Sequence, residues 1–487
     1  MRAIVLPSAL CLLLSACIGA AAAGLRPYYI GVNLGWVPNL DPAVIANWAF
    51  EAGADMPRVG ARLDLALQWG VGHADGTVTR FASAGRHPLV FLFNGQAQHI
   101  RPDGSMDEGC DVPKGLWEAV FTKGGDVGQA GAEVNPGNQW ARFVWEIVER
   151  YDGDGQADAP GGPRVEYFSL WNEPDWLPWP TRPKDPRDKF LRGWYGHDMT
   201  DLARFLFVSW RAAKHANPSC KIGIQLCFPE TLGFLLDDPK YPAANYLDFV
   251  DFHAYAGPGS DTLIEAEGGL EGVYKAMAAE FDKRGLERPE FLCTECGYPG
   301  DESLGPAYSQ AVQRAAAAKV HLAGASLGLV TVCWYGLFDP SWQNMGLLGD
   351  VSNLPRDGQG AQFKEAFHAM RTLARLMGEM CERKLGYVGR LDLGEAARGH
   401  EFRWEDGRRM YVMWAHDPDG NAGRRVVVSV ALPEGQYARY EWDYSLTGEA
   451  AAFVISDGRP QTLTLGIDPV YLVEYHDAQA EQARTVR

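Results

Sequence analysis

Two glutamates stand out as groups that could do chemistry. Glu173 sits in Trp171-Asn172-Glu173-Pro174, directly behind the run Val165-Glu166-Tyr167-Phe168-Ser169-Leu170; Glu295 sits in Phe291-Leu292-Cys293-Thr294-Glu295-Cys296-Gly297-Tyr298-Pro299. Each run reads as a short, mostly buried strand, rich in bulky apolar residues and closed by turn residues. Pro174 lacks an N–H and disfavours helix at the residue before it, so the first strand must stop by Glu173. A lone glutamate there is ordinarily part of a β-to-α turn. The amide before it and the indoles beside it have no structural reason to be there, which tips the reading towards a site. Gly297 lets the chain turn, or another group approach, just behind Glu295. Two carboxylates converging over a cleft suit glycosidic cleavage. One is protonated, to give the leaving oxygen a proton; the other is ionised, to attack or to activate water. Their proximity pushes one pKa up.

The elements that must position these groups alternate between apolar runs and amphipathic stretches, the rhythm of βα repeats around a parallel sheet. Strands are expected at Tyr28–Leu34, through Arg58-Val59, at Pro88–Phe93, at the Val165 run, at Lys221–Leu226, within Asn245–Ala256, at Glu290–Cys296 and at Leu329–Gly336. Helices are expected at Pro42–Ala52, Gln139–Tyr151, Asp201–His215, Leu270–Arg284, Ser309–Leu322 and Phe363–Leu376. Eight strands with intervening helices imply a (β/α)₈ TIM barrel over residues 25–377, with chemistry at the C-terminal ends of its strands. About 120 residues separate Glu173 and Glu295, three βα units of roughly forty, which puts the tips of strands four and seven on one face. The excursion Asn94–Asn138 is long enough to be functional or disordered. Asp152-Gly153-Asp154-Gly155 reads as a turn, because the twelve-residue calcium-loop pattern is not completed. From residue 378 to 477, short alternating runs replace the βα rhythm: Glu401–Trp404, Met410–Trp414, Arg425–Ala431, Tyr440–Tyr444, Ala452–Ile455, Gln461–Leu465 and Val470–Tyr475. Their spacing implies an all-β sandwich packed on the barrel, followed by a frayed tail at 478–487.

With these motifs on strands four and seven of a barrel, the sequence resembles the retaining β-glycoside hydrolases of clan A, closest in appearance to families 39 and 5. The likeness covers roughly residues 25 to 375. It implies Glu173 as general acid/base, Glu295 as nucleophile and Asn172 as partner of the sugar 2-hydroxyl. Three further segments follow the clan pattern. Gly53-Ala54-Asp55-Met56-Pro57-Arg58 resembles the strand-two segment whose arginine steadies the nucleophile, with Arg62 as the competitor to Arg58. Asp251-Phe252-His253-Ala254-Tyr255 puts His253 and Tyr255 on one strand face, where the clan lines its pocket, Tyr255 donating to the nucleophile. Val332-Cys333-Trp334-Tyr335-Gly336 offers Trp334 as the sugar-stacking platform. Trp36, Trp176, Trp179, Trp194, Tyr195 and Trp342 lie in loops after strands and are candidates to rim the cleft. Cys296, where the clan often has an aromatic or small residue, is a departure from the pattern, and Phe93-Asn94-Gly95 matches no assignable segment.

Composition bounds the partners. The chain has 487 residues with a net charge of −17, which argues against nucleic acid and anionic membranes and favours a neutral substrate, or an acidic one only where local Arg or Lys offsets the field; the polysaccharide or oligosaccharide partner is what the resemblance implies. Sixteen Trp and 19 Tyr suit sugar platforms. Residues 1–23 read as an export signal: Arg2, an apolar run Ile4–Leu14 too short to span a bilayer, and Ala21-Ala22-Ala23 for cleavage. Leu14-Ser15-Ala16-Cys17 resembles a lipobox, so cleavage near Ala23 and lipid anchoring at Cys17 both stay open. Either places the protein outside the cytoplasm, secreted, periplasmic or held at the cell surface. Cys110, Cys220, Cys227, Cys293, Cys296, Cys333 and Cys381 then remain, an odd set that cannot pair fully within one chain. Cys293 and Cys296 lie in a strand whose alternation points them to opposite faces, against a redox or zinc role. No metal site and no organic cofactor are expected. A retaining hydrolase, a transglycosylase with the same residues and a non-catalytic carbohydrate-binding barrel are the functions left. Both carboxylates with Asn172 favour an enzyme.

Overall fold

The computed structural model describes residues 28–35, 37, 39–94, 112–175, 199–378 and 385–475. The loop aromatics Trp36, Trp176, Trp179, Trp194 and Tyr195, with Cys17 and the rest of the export segment, lie outside them.

Eight parallel strands close a barrel in sequence order: β1 (Tyr29–Asn33), β2 (Met56–Arg62), β3 (Leu89–Phe93), β4 (Tyr167–Leu170), β5 (Lys221–Leu226), β6 (Phe249–Ala254), β7 (Glu290–Cys296) and β8 (Thr331–Trp334). The seam between β1 and β8 is tight. A Cβ on Gly31 would fall 2.5 Å from Cys333 Sγ, so only glycine lets the two strands close there. Helices cover the strands, among them Pro42–Ala52, Gln139–Arg150, Met199–Ala216, Leu270–Asp282, Gln310–Leu327 and Glu365–Gly378. The two short helices between β2 and β3, Leu63–Trp69 and Asp75–Ser83, have no counterpart among the expected elements.

Part of the long excursion after β3 is tied to the helix Met199–Ala216 through a buried cation. Arg204, buried on the helix Met199–Ala216, donates to the Asp126 carboxylate and to the carbonyls of Leu116 and Glu118. Asp126 is held below the usual carboxylate range: burial opposes its charge, but the Arg204 hydrogen bonds and charge outweigh it.

A short pair, β9 (Phe338–Asp339) and β10 (Leu348–Asp350), follows the barrel. The C-terminal part holds β11 (Leu385–Arg390), β12 (Ala397–Trp404), β13 (Arg409–Ala415), β14 (Val426–Ala431), β15 (Gly435–Tyr440), β16 (Ala452–Ser456), β17 (Pro460–Leu465) and β18 (Val470–Glu474). β11-β12-β13-β18-β15-β16 form one sheet and β14-β17 the other. Val428, Val430, Leu463 and Leu465 of the smaller sheet share a core with Met413, Tyr437 and Leu472 of the larger, which makes the pair a sandwich. The strand expected at Tyr440–Tyr444 runs instead from Gly435 to Tyr440, and Tyr444–Thr447 is a helical turn.

The sandwich is anchored to the barrel through buried charge. Lys319, fully buried on the helix Gln310–Leu327, donates to Asp261 at 2.7 Å, and Asp261 also accepts from the indole of Trp414 on β13 and from the backbone of Asp417. Burial alone would raise the Asp261 pKa; Lys319 and these donors bring it below the ordinary value. Removing one partner strands the other charge in apolar surroundings. Lys319→Met keeps the side-chain bulk and is expected to cost about 3–5 kcal/mol, read as a lower urea midpoint.

Candidate active site

Four strands bring the two glutamates together at the C-terminal face. β4 ends at Leu170, three residues before Glu173, and the chain leaves it with Trp171 at φ 66° and Glu173 at φ 50°. Left-handed backbone at two non-glycine residues is strain of the kind that collects at functional sites. Neighbouring side chains hold it. The Glu173 N–H donates to the Gln225 side chain of β5, and the buried Asp175 accepts from the N–H groups of Cys227 and Phe228.

Glu295 reaches the site through a bulge. The β6–β7 pairing shifts register between Phe252 and His253, so that Phe252 faces Cys293 while His253 faces Glu295. The extra residue turns two successive side chains, Thr294 and Glu295, to the barrel interior. It also undoes the expected alternation of Cys293 and Cys296: the two buried thiols interact instead of facing apart. Both are free, as are Cys220, Cys227 and Cys333. Gly297 follows at a close approach, where a Cβ would lie 2.6 Å from the Tyr335 carbonyl oxygen.

Arg58 ties the two motifs. Its Nη1 donates to Glu295 Oε1 at 2.5 Å and its Nη2 to Asn172 Oδ1 at 2.9 Å, over the face of Phe91 at 4.2 Å. Burial works against the Arg58 charge, but Glu295 and Asp251 outweigh it and raise its pKa. Arg62, the other candidate, pairs with Asp64 over the Phe93 ring. Tyr255 donates to Glu295 Oε2 at 3.0 Å, and burial, then the glutamate, keep its hydroxyl protonated. His253 Nδ1 lies 2.8 Å from Glu173 Oε1 and 3.4 Å from Glu295 Oε2. Burial drives its pKa down to about 3, so the ring is neutral. Ligand atoms of Glu173, His253 and Glu295 all lie within 4.8 Å of one another. That set could hold a cation, but Arg58 already supplies a positive charge against Glu295. Asp152, Asp154 and Asp158 also cluster, each accepting from N–H groups of its own turn.

Trp334 is not the platform expected of it. The pleat of β8 turns Cys333 inward, beside Arg58 and Asp251, and so turns Trp334 outward. Trp334 is fully buried, and its indole donates to the Met345 carbonyl. The next residue, Tyr335, faces the site edge-on to Tyr255, with ring centroids 6.3 Å apart, and precedes a cis peptide to Gly336. Beside Arg58 a cavity of about 930 Å³ opens between the ends of β1, β2 and β3, lined by Asn33, Arg62, Trp69, His73 and Phe93.

Several participants went unassigned in the sequence: Gln225, Asp175, Ser169, Asp251, Thr294 and Tyr335. Polar residues in otherwise apolar strand runs, such as Gln225 in Lys221-Ile-Gly-Ile-Gln-Leu, were the available signal.

No protein-family model matches the chain, and no curated protein matches it. Solved structures do. A family 39 glycoside hydrolase from Bacteroides cellulosilyticus WH2 superposes with a TM-score of 0.61 at 16% identity, over 92% of this chain and 81% of that one. A GH30 endoxylanase from Clostridium papyrosolvens C71 gives 0.55 at 13% identity, over 93% and 98%. An alpha-L-arabinofuranosidase from Thermotoga maritima gives 0.54 at 12%, over 93% and 97%. The barrel with its appended sandwich is thus a fold of known glycoside hydrolases.

Proposed function

We propose that the protein is an exported retaining glycoside hydrolase that cleaves O-glycosidic bonds of a β-glycan or β-linked oligosaccharide. The observation that carries this reading is the spacing of the two carboxylates, whose oxygens approach within 4.8 Å. Retaining enzymes hold their carboxyl groups about 5–5.5 Å apart, whereas inverting enzymes leave about 6.5–9.5 Å for a water molecule. Glu173, approached by neutral His253, gives its proton to the glycosidic oxygen. Glu295, oriented by Arg58 and Tyr255, attacks the anomeric carbon and forms the glycosyl-enzyme. Glu173, now a carboxylate, takes a proton from the water that releases the sugar. Asn172 turns its oxygen to Arg58, which leaves its NH₂ for the 2-hydroxyl. Tyr335 in place of Trp334 presents an aromatic face, and the cavity beside Arg58 gives the glycan room.

Trapping with 2-fluoro glycosides of xylose, glucose and mannose, followed by peptide mass analysis, tests this. A covalent adduct on Glu295 is the expected result. An adduct elsewhere overturns the assignment, and no adduct together with no reducing ends from a glycan panel favours a binding protein. Arg58→Lys is expected to lower kcat/KM ten- to a hundredfold, about 1.5–3 kcal/mol, because an ammonium cannot make the two-ended contact with Glu295 and Asn172. Steady-state kinetics on the trapped sugar's aryl glycoside measures it.

A further inference from the structure

Beneath the catalytic carboxylates lies a buried acid with no part in the mechanism above. Asp251, fully buried on β6, accepts from Ser169 Oγ at 2.5 Å and from Thr294 Oγ1 at 2.9 Å on Oδ2, and from the Thr294 N–H at 3.2 Å on Oδ1. Thr294 Oγ1 also lies 3.3 Å from His253 Nε2, and His253 Nδ1 lies 2.8 Å from Glu173. The four side chains form one unbroken chain from the barrel interior to the carboxyl that must donate.

The polarity of that chain follows from its donors. A threonine hydroxyl has one proton, and here it goes to Asp251. His253 Nε2 must then carry hydrogen and donate to Thr294 Oγ1. A neutral imidazole has only one N–H, so Nδ1 is bare and presents a lone pair to Glu173 Oε1. That contact is favourable when Glu173 holds a proton and repulsive when it does not.

We propose that Asp251 is a positioning residue for Glu173: as a carboxylate it polarises Thr294 and His253 so that a bare Nδ1 faces Glu173 and keeps the proton there until the leaving oxygen takes it. After that transfer the same lone pair faces a carboxylate, which sharpens its pull on a proton from water in the second step. Protonating Asp251 reverses the chain. Its hydroxyl then donates to Thr294, Thr294 to Nε2, and the proton leaving Nε2 is replaced by one on Nδ1 taken from Glu173. One proton moves from Glu173 to Asp251, and the histidine stays neutral.

The surroundings suit a group that changes state in the working range. Arg58 faces Asp251 from β2, Ser169 from β4, Gln225 in register from β5, Thr294 from β7 and Cys333 from β8, with His253 next inward-facing on β6; Cys293, on the outer side of β7, is within electrostatic reach. Both thiols are pushed up and stay neutral, so Arg58 is the only cation in this set. Burial pushes Asp251 up to about 6; Arg58, Ser169 and Thr294 limit the rise.

The inference rests on Glu173 being the acid, and its test has an arm independent of turnover. In Asp251→Asn the Thr294 N–H fixes the amide oxygen at the Oδ1 position. The NH₂ then replaces Oδ2 and donates to Thr294, a permanent copy of the protonated chain. Histidine ¹⁵N NMR near pH 6.5, with the His253 signal identified by His253→Gln, is expected to show Nε2–H in the unmodified protein and Nδ1–H in Asp251→Asn. The same tautomer in both overturns the proposal, whether or not any glycoside is turned over. With aryl glycosides, Asp251→Asn is expected to lower kcat/KM at least tenfold for phenyl leaving groups, less than twofold for 2,4-dinitrophenolate, and to shift the alkaline limb to lower pH. Thr294→Val, which cuts the chain and keeps the shape, is expected to show the same leaving-group dependence. Equal losses for both leaving groups would mean a structural role and overturn it. Absence of turnover in the unmodified protein would count against the hydrolase reading alone.

Discussion

Glu295→Gln is expected to cut turnover by on the order of 10⁵-fold, about 7 kcal/mol, the scale on which removal of a nucleophile acts. Glutamine keeps the shape and can still accept from Arg58, but it cannot attack an anomeric carbon. The same change leaves Arg58 buried with its nearest counter-charge gone, so the melting temperature falls as well. The two effects separate by measurement. Circular dichroism reports whether the barrel persists, and calorimetric titration reports whether the glycan still binds. A folded, glycan-binding variant without turnover is the expected outcome. Retention of more than a hundredth of the activity would remove Glu295 from the mechanism.

Much of this arrangement was legible in the sequence because it depends on local patterns. β5 and β7 occupy the stretches the apolar runs imply, Lys221–Leu226 and Glu290–Cys296, and the helix Pro42–Ala52 starts at its proline and stops before Gly53, whose φ of 88° ends it. Asn172, Glu173, His253, Tyr255 and Glu295 meet because each sits at or just past the end of a barrel strand, whose order the βα rhythm reveals; Arg58 reaches them from within β2. What failed did so where a period of two breaks or starts on the wrong residue. The bulge at Thr294 adds a residue to β7, a feature of pairing with β6 that the β7 sequence alone does not carry. On β8 the alternation is intact, but its phase is set by the tight contact of Gly31 with Cys333, and Trp334 is outward for that reason. The strand Leu385–Arg390 has two glycines in six residues and only one buried position, so it offered little apolar signal.

The buried polar layer was the least legible part. Ser169, Gln225, Asp251 and Thr294 are scattered over four neighbouring strands, and only the curvature of the barrel turns them together under the carboxylates. A polar side chain inside a barrel costs free energy unless it is hydrogen-bonded. Each of these four is bonded within the site, which makes the layer a support for the two glutamates.

On the proposed mechanism, Glu173→Ala separates the two roles of one residue. Without a general acid the first step slows by about 10²–10⁴-fold for a leaving group that needs a proton and hardly at all for 2,4-dinitrophenolate, which departs as a stable anion. The second step loses its base whatever the leaving group. With a dinitrophenyl glycoside the variant is therefore expected to release one equivalent of phenol in a burst and then stall as the glycosyl-enzyme on Glu295. Azide, small enough for the space left by the carboxylate and needing no deprotonation, is expected to restore turnover and give a glycosyl azide of the same anomeric configuration as the substrate. Retention in that product requires attack on a covalent intermediate from the face the aglycone left, the face where Glu173 stands. An azide product of opposite configuration, or none, would place the acid on another residue. His253 would then approach a carboxylate with a structural task only.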